Sequence, residues 1–352
     1  MKIAGDFRGT LFIAALAALF TLIAPSILNF VTILTLTQVI GLAILALSLA
    51  LVWGYGGILC FGQTAFFGIG AYAYAIAAAN IGGSTGAIFV GIAVAAIFAA
   101  MLGYFIFYGR VSDVYLAVIT LTVTLILYSL LRRTSGPEYK IGNALLGGFN
   151  GTGAAPLNIP GDGAAMLFPE QTFYVAMAAL ILAYVFCGWL VRTHFGRVCV
   201  AIRENETRAE LLAYDTRAYK LGIFTIGAGI AALGGIFFSV GVTRVTPDIF
   251  SLSQAALTII WVIVGGRGTL VGPILATFGL YYLTASLGTQ QLINTNLVLG
   301  VILIAFVLLV PQGIVPTVLN WLTARRSART DRARERRVRM RRPRAGARGE
   351  GA

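Results

Sequence analysis

Histidine occurs once in 352 residues, at His194, so a metal centre built on paired imidazoles is excluded. The chain has no HExxH and no GxSxG, and no GxxxxGKS or GxxxxGKT loop to cradle nucleotide phosphates. The turn Gly265-Gly266-Arg267-Gly268-Thr269 lacks the phosphate-binding lysine. Cys60, Cys187 and Cys199 are odd in number and lack CxxC spacing, which leaves no disulfide framework and suits small apolar filler. Charged residues make up 11% of the chain, against roughly a quarter in soluble domains. No Asp or Glu falls at the middle of an apolar run, and Asp113 and Arg267 sit at run ends. Ion-coupled carriers and voltage sensors need such intramembrane charge, so its absence weighs against both.

What the chain has instead is apolar sequence: 58% hydrophobic residues and a mean hydropathy of +0.87. Apolar runs cover 11–30, 32–52, 58–79, 87–108, 114–131, 173–191, 221–240, 255–264, 270–287 and 297–319. Most match the length of a bilayer-spanning helix, which predicts an all-α polytopic membrane protein of about ten transmembrane helices in one domain, 1–321. The run at 255–264 is short; it either extends at both ends or forms a half-helix that re-enters the membrane. Lys2 and Arg8 before the first run resemble a signal peptide, but no clean small-x-small site follows, and the run reads as an uncleaved first span.

The formal charge is +13, and residues 325–352 hold twelve Arg against Asp331, Glu335 and Glu350. The basic character therefore belongs to an Arg-rich, disordered tail, 322–352. Beside a membrane span such a tail sits on anionic lipid at the cytoplasmic side, and no nucleic-acid partner is expected. The excess of Lys and Arg puts the tail and the stretch 192–220 on the cytoplasmic side. Counting spans then places both termini, Arg110 and Arg267 inside. Arg132, Arg133, Lys140 and Arg244 fall outside and run against the rule.

Between the fifth and sixth runs lies a long loop, about 132–171, rich in Gly, Pro and Asn; it is either an external vestibule or a slack connector. Glycines crowd the third and seventh runs, where they allow close helix packing or break helices along a path. A faint echo links Trp53, Gly56 and Gly57 with Trp261, Gly265 and Gly266. Mild polar groups sit within or at the edge of runs: Gln38, Gln63, Thr64, Thr120, Thr122, Thr124 and Gln254. They either line a solute path or bond to neighbouring helices.

The stretch 202–214, IRENETRAELLAY, fits a short helix. Asn205 is a good N-cap with Glu206 near the positive helix end, and Thr207 with Glu210 has capping-box spacing as an alternative start. Leu211 and Leu212 put apolar mass on one side, which suits a groove on a partner; an ordinary solvated loop is the alternative.

Five segments together resemble the LivM-type permeases of branched-chain amino-acid ATP-binding-cassette transporters. They are IRENETRAELLAYDTRAYKL at 202–221, GILCFGQTAFFGIGAYA at 57–73, VYLAVITL at 114–121, GGFNG at 147–151 and WVIVGGRGTLVGP at 261–273. The likeness spans roughly 38–316. It implies an importer subunit in the bacterial plasma (inner) membrane, without cofactor and without catalysis of its own. Its implied partners are a second, LivH-like permease, two cytoplasmic ATPase subunits and an external solute-binding protein. By that likeness 204–214 is a cytoplasmic coupling helix, and Arg203, Glu204, Asn205, Glu206, Arg208, Ala209, Glu210, Leu212 and Tyr214 dock the ATPase. Gln63, Thr64, Tyr72 and Thr120 are nominated for the translocation path. Branched-chain amino acids are the first choice of solute, urea or short amides the second; a self-sufficient channel or carrier is the rival class. Ala213 departs from the family, which often has Gly there; Gln312 stands where a basic residue is common, and the tail is longer than usual.

Overall fold

The computed structural model describes residues 7–27, 29–159 and 165–288, together with residues 300, 313 and 317. Its helices are α1 (Phe7–Ile27), α2 (Phe30–Gly54), α3 (Gln63–Ile81), α4 (Ser84–Tyr108), α5 (Asp113–Arg133), α6 (Pro169–Leu190), α7 (His194–Glu204), α8 (Glu206–Leu211), α9 (Thr216–Val242), α10 (Leu252–Gly265) and α11 (Val271–Gly288). Among the described residues six helices, α2 to α6 and α9, are long and apolar enough to cross a membrane, and α1, α10 and α11 contain shorter apolar stretches. Nine of the ten expected runs thus lie on helices. The tenth, 297–319, is outside the described residues apart from 300, 313 and 317, as is the Arg-rich tail.

α9 is the central post, packed against α2, α3 and α4. The packing needs glycine at the closest approaches. A Cβ on Gly41 of α2 would lie 2.6 Å from the Gly234 carbonyl oxygen and 2.7 Å from the Phe238 nitrogen, both backbone atoms of α9. In lipid, where apolar faces gain little by leaving the solvent, such backbone proximity is the main source of helix adhesion. α1 packs on α6, and α11 on α2 and α10. The outer faces of α4 and α5 carry Phe89, Ile97, Phe105, Tyr115 and Ile126, all exposed, as expected of helices that meet lipid or another membrane subunit.

Contacts between helix ends sort the bundle into two faces. On one, here the charged face, Arg192 at the end of α6 donates to Thr10 Oγ1 at the start of α1, 3.0 Å, and Tyr55 after α2 donates to the Gly268 carbonyl, 3.3 Å. Arg110, Arg203, Lys220 and Arg267 lie here; Arg267 stacks over Trp53 at 5.7 Å. The echoed glycine turns meet at this face, with Gly54 against the Arg267 backbone. On the other, the loop face, residues 134–159 and 165–168 are tied down. Strands β1 (Lys140–Ile141) and β2 (Ala144–Leu145) pair with each other, and β3 (Thr152–Gly153) pairs with β4 (Arg244–Val245) after α9. Asn158 Oδ1 accepts from the Ser84 backbone, 2.6 Å, and Tyr74 donates to the Ala155 carbonyl, 2.9 Å. The described parts of this loop are therefore not a slack connector; their backbone is held by residues distant in sequence. Two of the basic residues that broke the charge rule are held here: Arg132 lies over the Tyr128 and Phe149 rings, and Arg244 donates to the Asn150 carbonyl, 3.2 Å.

One expected boundary needs correction. The run 58–79 is helical only from Gln63. After Gly54 the chain leaves the helix, turns through Gly57 with φ of +75°, and resumes only at Gln63. This irregular backbone is largely buried within protein, the condition under which it survives at membrane depth. The short run 255–264 follows the first of its two readings and extends at both ends: it becomes α10, about 21 Å long, preceded by a 3-10 turn, Pro247–Phe250, of which Pro247, Ile249 and Phe250 are buried. It runs from the loop-face turn to Gly265, which abuts Gly272 of α11, so turn and helix together cross the bundle.

Candidate functional site

The hook on the charged face is two helices, not one. α7 was unforeseen: residues 202–204, assigned from sequence to the start of the short helix, are its last turn. Thr193 caps it, its hydroxyl accepting from the Gly196 N–H at 3.3 Å, and Val198, Cys199 and Ile202 form its buried side. That i, i+1, i+4 spacing was the available signal. Burial pushes the Cys199 thiol up to about 12, so it stays protonated and inert at neutral pH.

α8 starts where the sequence proposed. Asn205 is its N-cap, with Oδ1 accepting from the Arg208 N–H at 2.8 Å; the alternative start at Thr207 is not used. Ala209 packs inward on Val198 and Ile202, with Tyr214 beside them. Glu206 pairs with Lys220 of α9 at 2.6 Å, and Glu210 accepts from Thr216 Oγ1 at 3.1 Å. Ala213 closes the helix in the left-handed region, φ +63°, with the Tyr214 N–H reaching the Ala209 carbonyl at 3.2 Å. That geometry explains why glycine is at home there. Leu211 and Leu212 are left standing in the open, 83% and 67% exposed.

The nominated coupling residues therefore divide. Glu204, Arg208 and Glu210 are exposed, and Asn205 is exposed but occupied as a cap. Arg203 turns inward, donating to the Gly54 carbonyl and pairing with Glu204, while its stem covers Gly57. Leu211, missing from the nominated set, is more exposed than Leu212. Lys220 and Asp113 were also missed. Lys220 lies 3.9 Å from Asp113 at the start of α5 as well as on Glu206, and the three border a cleft of about 420 Å³ lined also by Arg110, Glu210 and Arg217.

The path nominees are buried, in two groups. Gln63 opens α3 and donates to Ser48 Oγ of α2 at 3.0 Å; Ser48 lies two turns inside α2 from Gly54, so α3 begins within the bundle. Gly62 beside it abuts the Thr120 backbone of α5. Thr120 Oγ1 is spent on its own helix, on the Ala117 carbonyl at 3.0 Å. Gln63 Oε1, Thr64 Oγ1 and Tyr72 OH are buried without a hydrogen-bond partner. Tyr72 is two turns further along α3, with its ring 5.9 Å from Phe250. Among the described residues no group of His, Cys, Asp and Glu could hold a metal ion.

The family described as branched-chain amino acid transport system, permease component, matches residues 31–309. The high-affinity branched-chain amino acid transport system permease protein LivM of Escherichia coli K12 is 28% identical over 307 residues, 81% of this chain and 70% of that protein. The protein of the same name from Salmonella typhimurium LT2 matches with the same identity and coverage. The inner membrane ABC transporter permease protein YjfF of Escherichia coli K12 is 31% identical over 145 residues, 38% of this chain and 44% of that protein. No solved structure matches.

Proposed function

The chain belongs to the permease component family of branched-chain amino acid transport systems, and we propose on that footing that it carries branched-chain amino acids through the membrane, driven by ATPase subunits that dock on α8. It is a helical membrane protein and the permease subunit of an ATP-binding-cassette importer. One observation carries the docking assignment: an apolar pair, Leu211 and Leu212, stands exposed on a rigidly braced helix at the charged face of a chain with no nucleotide motif. Apolar side chains held out by a structured element are what a partner groove takes up.

The charged face is cytoplasmic in this reading, with both termini inside, and the loop face receives solute from an external binding protein. A second permease, LivH-like, completes the pathway. The tail, 322–352, lies outside the permease domain, 1–321, against anionic lipid. A count of ten transmembrane helices has positional support: Gly313 packs on Gly265 and Gly266 at the charged face, while α11 starts there and leads away over 18 residues. Catalysis is left to the partners.

The test is affinity purification of the full chain in mild detergent, identification of its companions, and uptake in vesicles. The expected result is a complex holding an ATPase and a second permease that accumulates labelled leucine only with ATP. Accumulation of solute by this chain alone refutes the reading; preference for labelled urea over leucine replaces the substrate.

A further inference from the structure

Thr64, Gly68 and Tyr72 are spaced i, i+4, i+8 on α3 and so form one stripe along it. Gly68 and Tyr72 of the stripe face Phe250 of the 3-10 turn, Pro247–Phe250, and α3 also packs on α5. On α5 the buried positions Leu116, Thr120 and Thr124 repeat at the same interval, with Gly62 against the Thr120 backbone. Thr64 and Tyr72 are 1% and 5% exposed, yet neither hydroxyl has a partner, whereas those of Thr120 and Thr124 bond to their own helix. An unpaired buried hydroxyl is unfavourable by about 1–3 kcal/mol, and two on one stripe call for a use. Phe250, 1% exposed, lays its ring over Gly68, where any Cβ would overlap it, between the two hydroxyls along the stripe.

Resting on the permease reading, we propose that Phe250 is the gate of the translocation path on its loop side, and that the hydroxyls of Thr64 and Tyr72 are specificity groups which the solute engages as the ring withdraws. None of the described charged side chains is buried; Asp248, exposed in the same turn as Phe250, is near enough to act electrostatically on the Tyr72 hydroxyl, and otherwise the stripe offers a solute neutral hydroxyls and aromatic or aliphatic surface. That chemistry suits a small amphipathic zwitterion, whose charges compensate each other, and disfavours a bare ion. An apolar ring across a narrow path excludes water as well as solute, which is how hydrophobic constrictions close. Phe250 belongs to a short turn between β4 and α10 that packs on both α3 and α5, so withdrawal of its ring would open the interval between these two helices.

The test uses the complete complex in vesicles loaded with labelled leucine. Phe250→Ala is expected to raise ATP-independent efflux by about tenfold or more and to abolish accumulation. Tyr72→Phe and Thr64→Val are each expected to raise KM for uptake about tenfold, the loss of one hydrogen bond to solute, with ATP hydrolysis retained. Tight vesicles and normal accumulation with Phe250→Ala would overturn the gate, and an unchanged KM would overturn the hydroxyl assignment. Should Phe250→Ala not assemble, Tyr72→Cys in the full chain is the second measurement, since Cys60, Cys187 and Cys199 are buried and give little background. An impermeant thiol reagent is expected to label Cys at 72 only when Phe250 is also changed to Val; equal labelling with Phe250 intact overturns the gate. If wild-type complex accumulates nothing with ATP, the permease reading itself falls, while the labelling result still judges the gate.

Discussion

Truncating Leu211 and Leu212 together to Ala isolates docking from folding better than any other change on the hook. Both side chains are largely free of contacts within the chain, so the double variant is expected to cost the permease less than about 0.5 kcal/mol of its own stability. Full burial of one leucine contributes about 1.5–3 kcal/mol, and most of that area is still available here. If both enter a partner groove, the double truncation removes about 3 kcal/mol of binding, or roughly a hundredfold in Kd. The assay is titration of the ATPase subunits onto permease held in lipid nanodiscs, with circular dichroism as the check on folding. Charge reversal at Glu210 is less informative, because Glu210 accepts a hydrogen bond from Thr216 and its loss disturbs the start of α9. A Kd that shifts by less than about threefold, well under the 1.4 kcal/mol of one decade, would refute the idea that α8 is the docking element.

Two further changes follow from backbone geometry. Ala213→Gly is expected to stabilise the α8 C-terminus by about 1 kcal/mol, since only glycine adopts φ near +63° without penalty; slower amide exchange at Ala213 and Tyr214 checks it. Gly41→Ala is expected to destabilise the bundle by about 1–3 kcal/mol, because its Cβ would meet α9 backbone that cannot step aside, whereas Gly279→Ala, with open space around it, is expected to leave thermal stability unchanged.

The local rules worked where the decisive physics is local. Hydropathy located the described transmembrane helices because lipid enforces a continuous apolar run on every span. Asn205 was legible as a cap because a cap is a contact between near neighbours in sequence. The break between the runs 32–52 and 58–79 was legible but its extension to residue 62 was not: 58–62 are as apolar as a span, and only the approach of Arg203 and Arg267 to Gly57 and Gly54 shows how the irregular backbone is held. α7 hid inside a stretch read as charged loop, since its apolar side is three residues wide. The loop after α5 reads as slack because the anchors of its described residues, Ser84, Asn80, Tyr74 and β4, are distant from it in sequence. The path nominees were chosen for polarity alone. The observation that separates Thr64 and Tyr72 from Thr120, an unspent hydroxyl, exists only once the neighbours are in place.

The hook is joined to both walls of the stripe it would have to move. Arg203, at the end of α7, donates to the Gly54 carbonyl and covers Gly57, the two residues at which α2 gives way to the break before α3. Lys220, held by Glu206 of α8, also lies within 4 Å of Asp113, the first residue of α5. A displacement of α7 and α8 is thus delivered to the start of α3 through one cation and to the start of α5 through another. The two junctions differ in stiffness. Arg203 grips backbone next to a glycine with positive φ, a natural hinge, whereas the Lys220–Asp113 pair is longer and borders an open cleft. Exposed ion pairs contribute only about 0–1 kcal/mol, so the α5 link is the one that yields first. Movement of the hook would therefore swing α3 against a more loosely tethered α5, widening or narrowing the approach of Gly62 to Thr120.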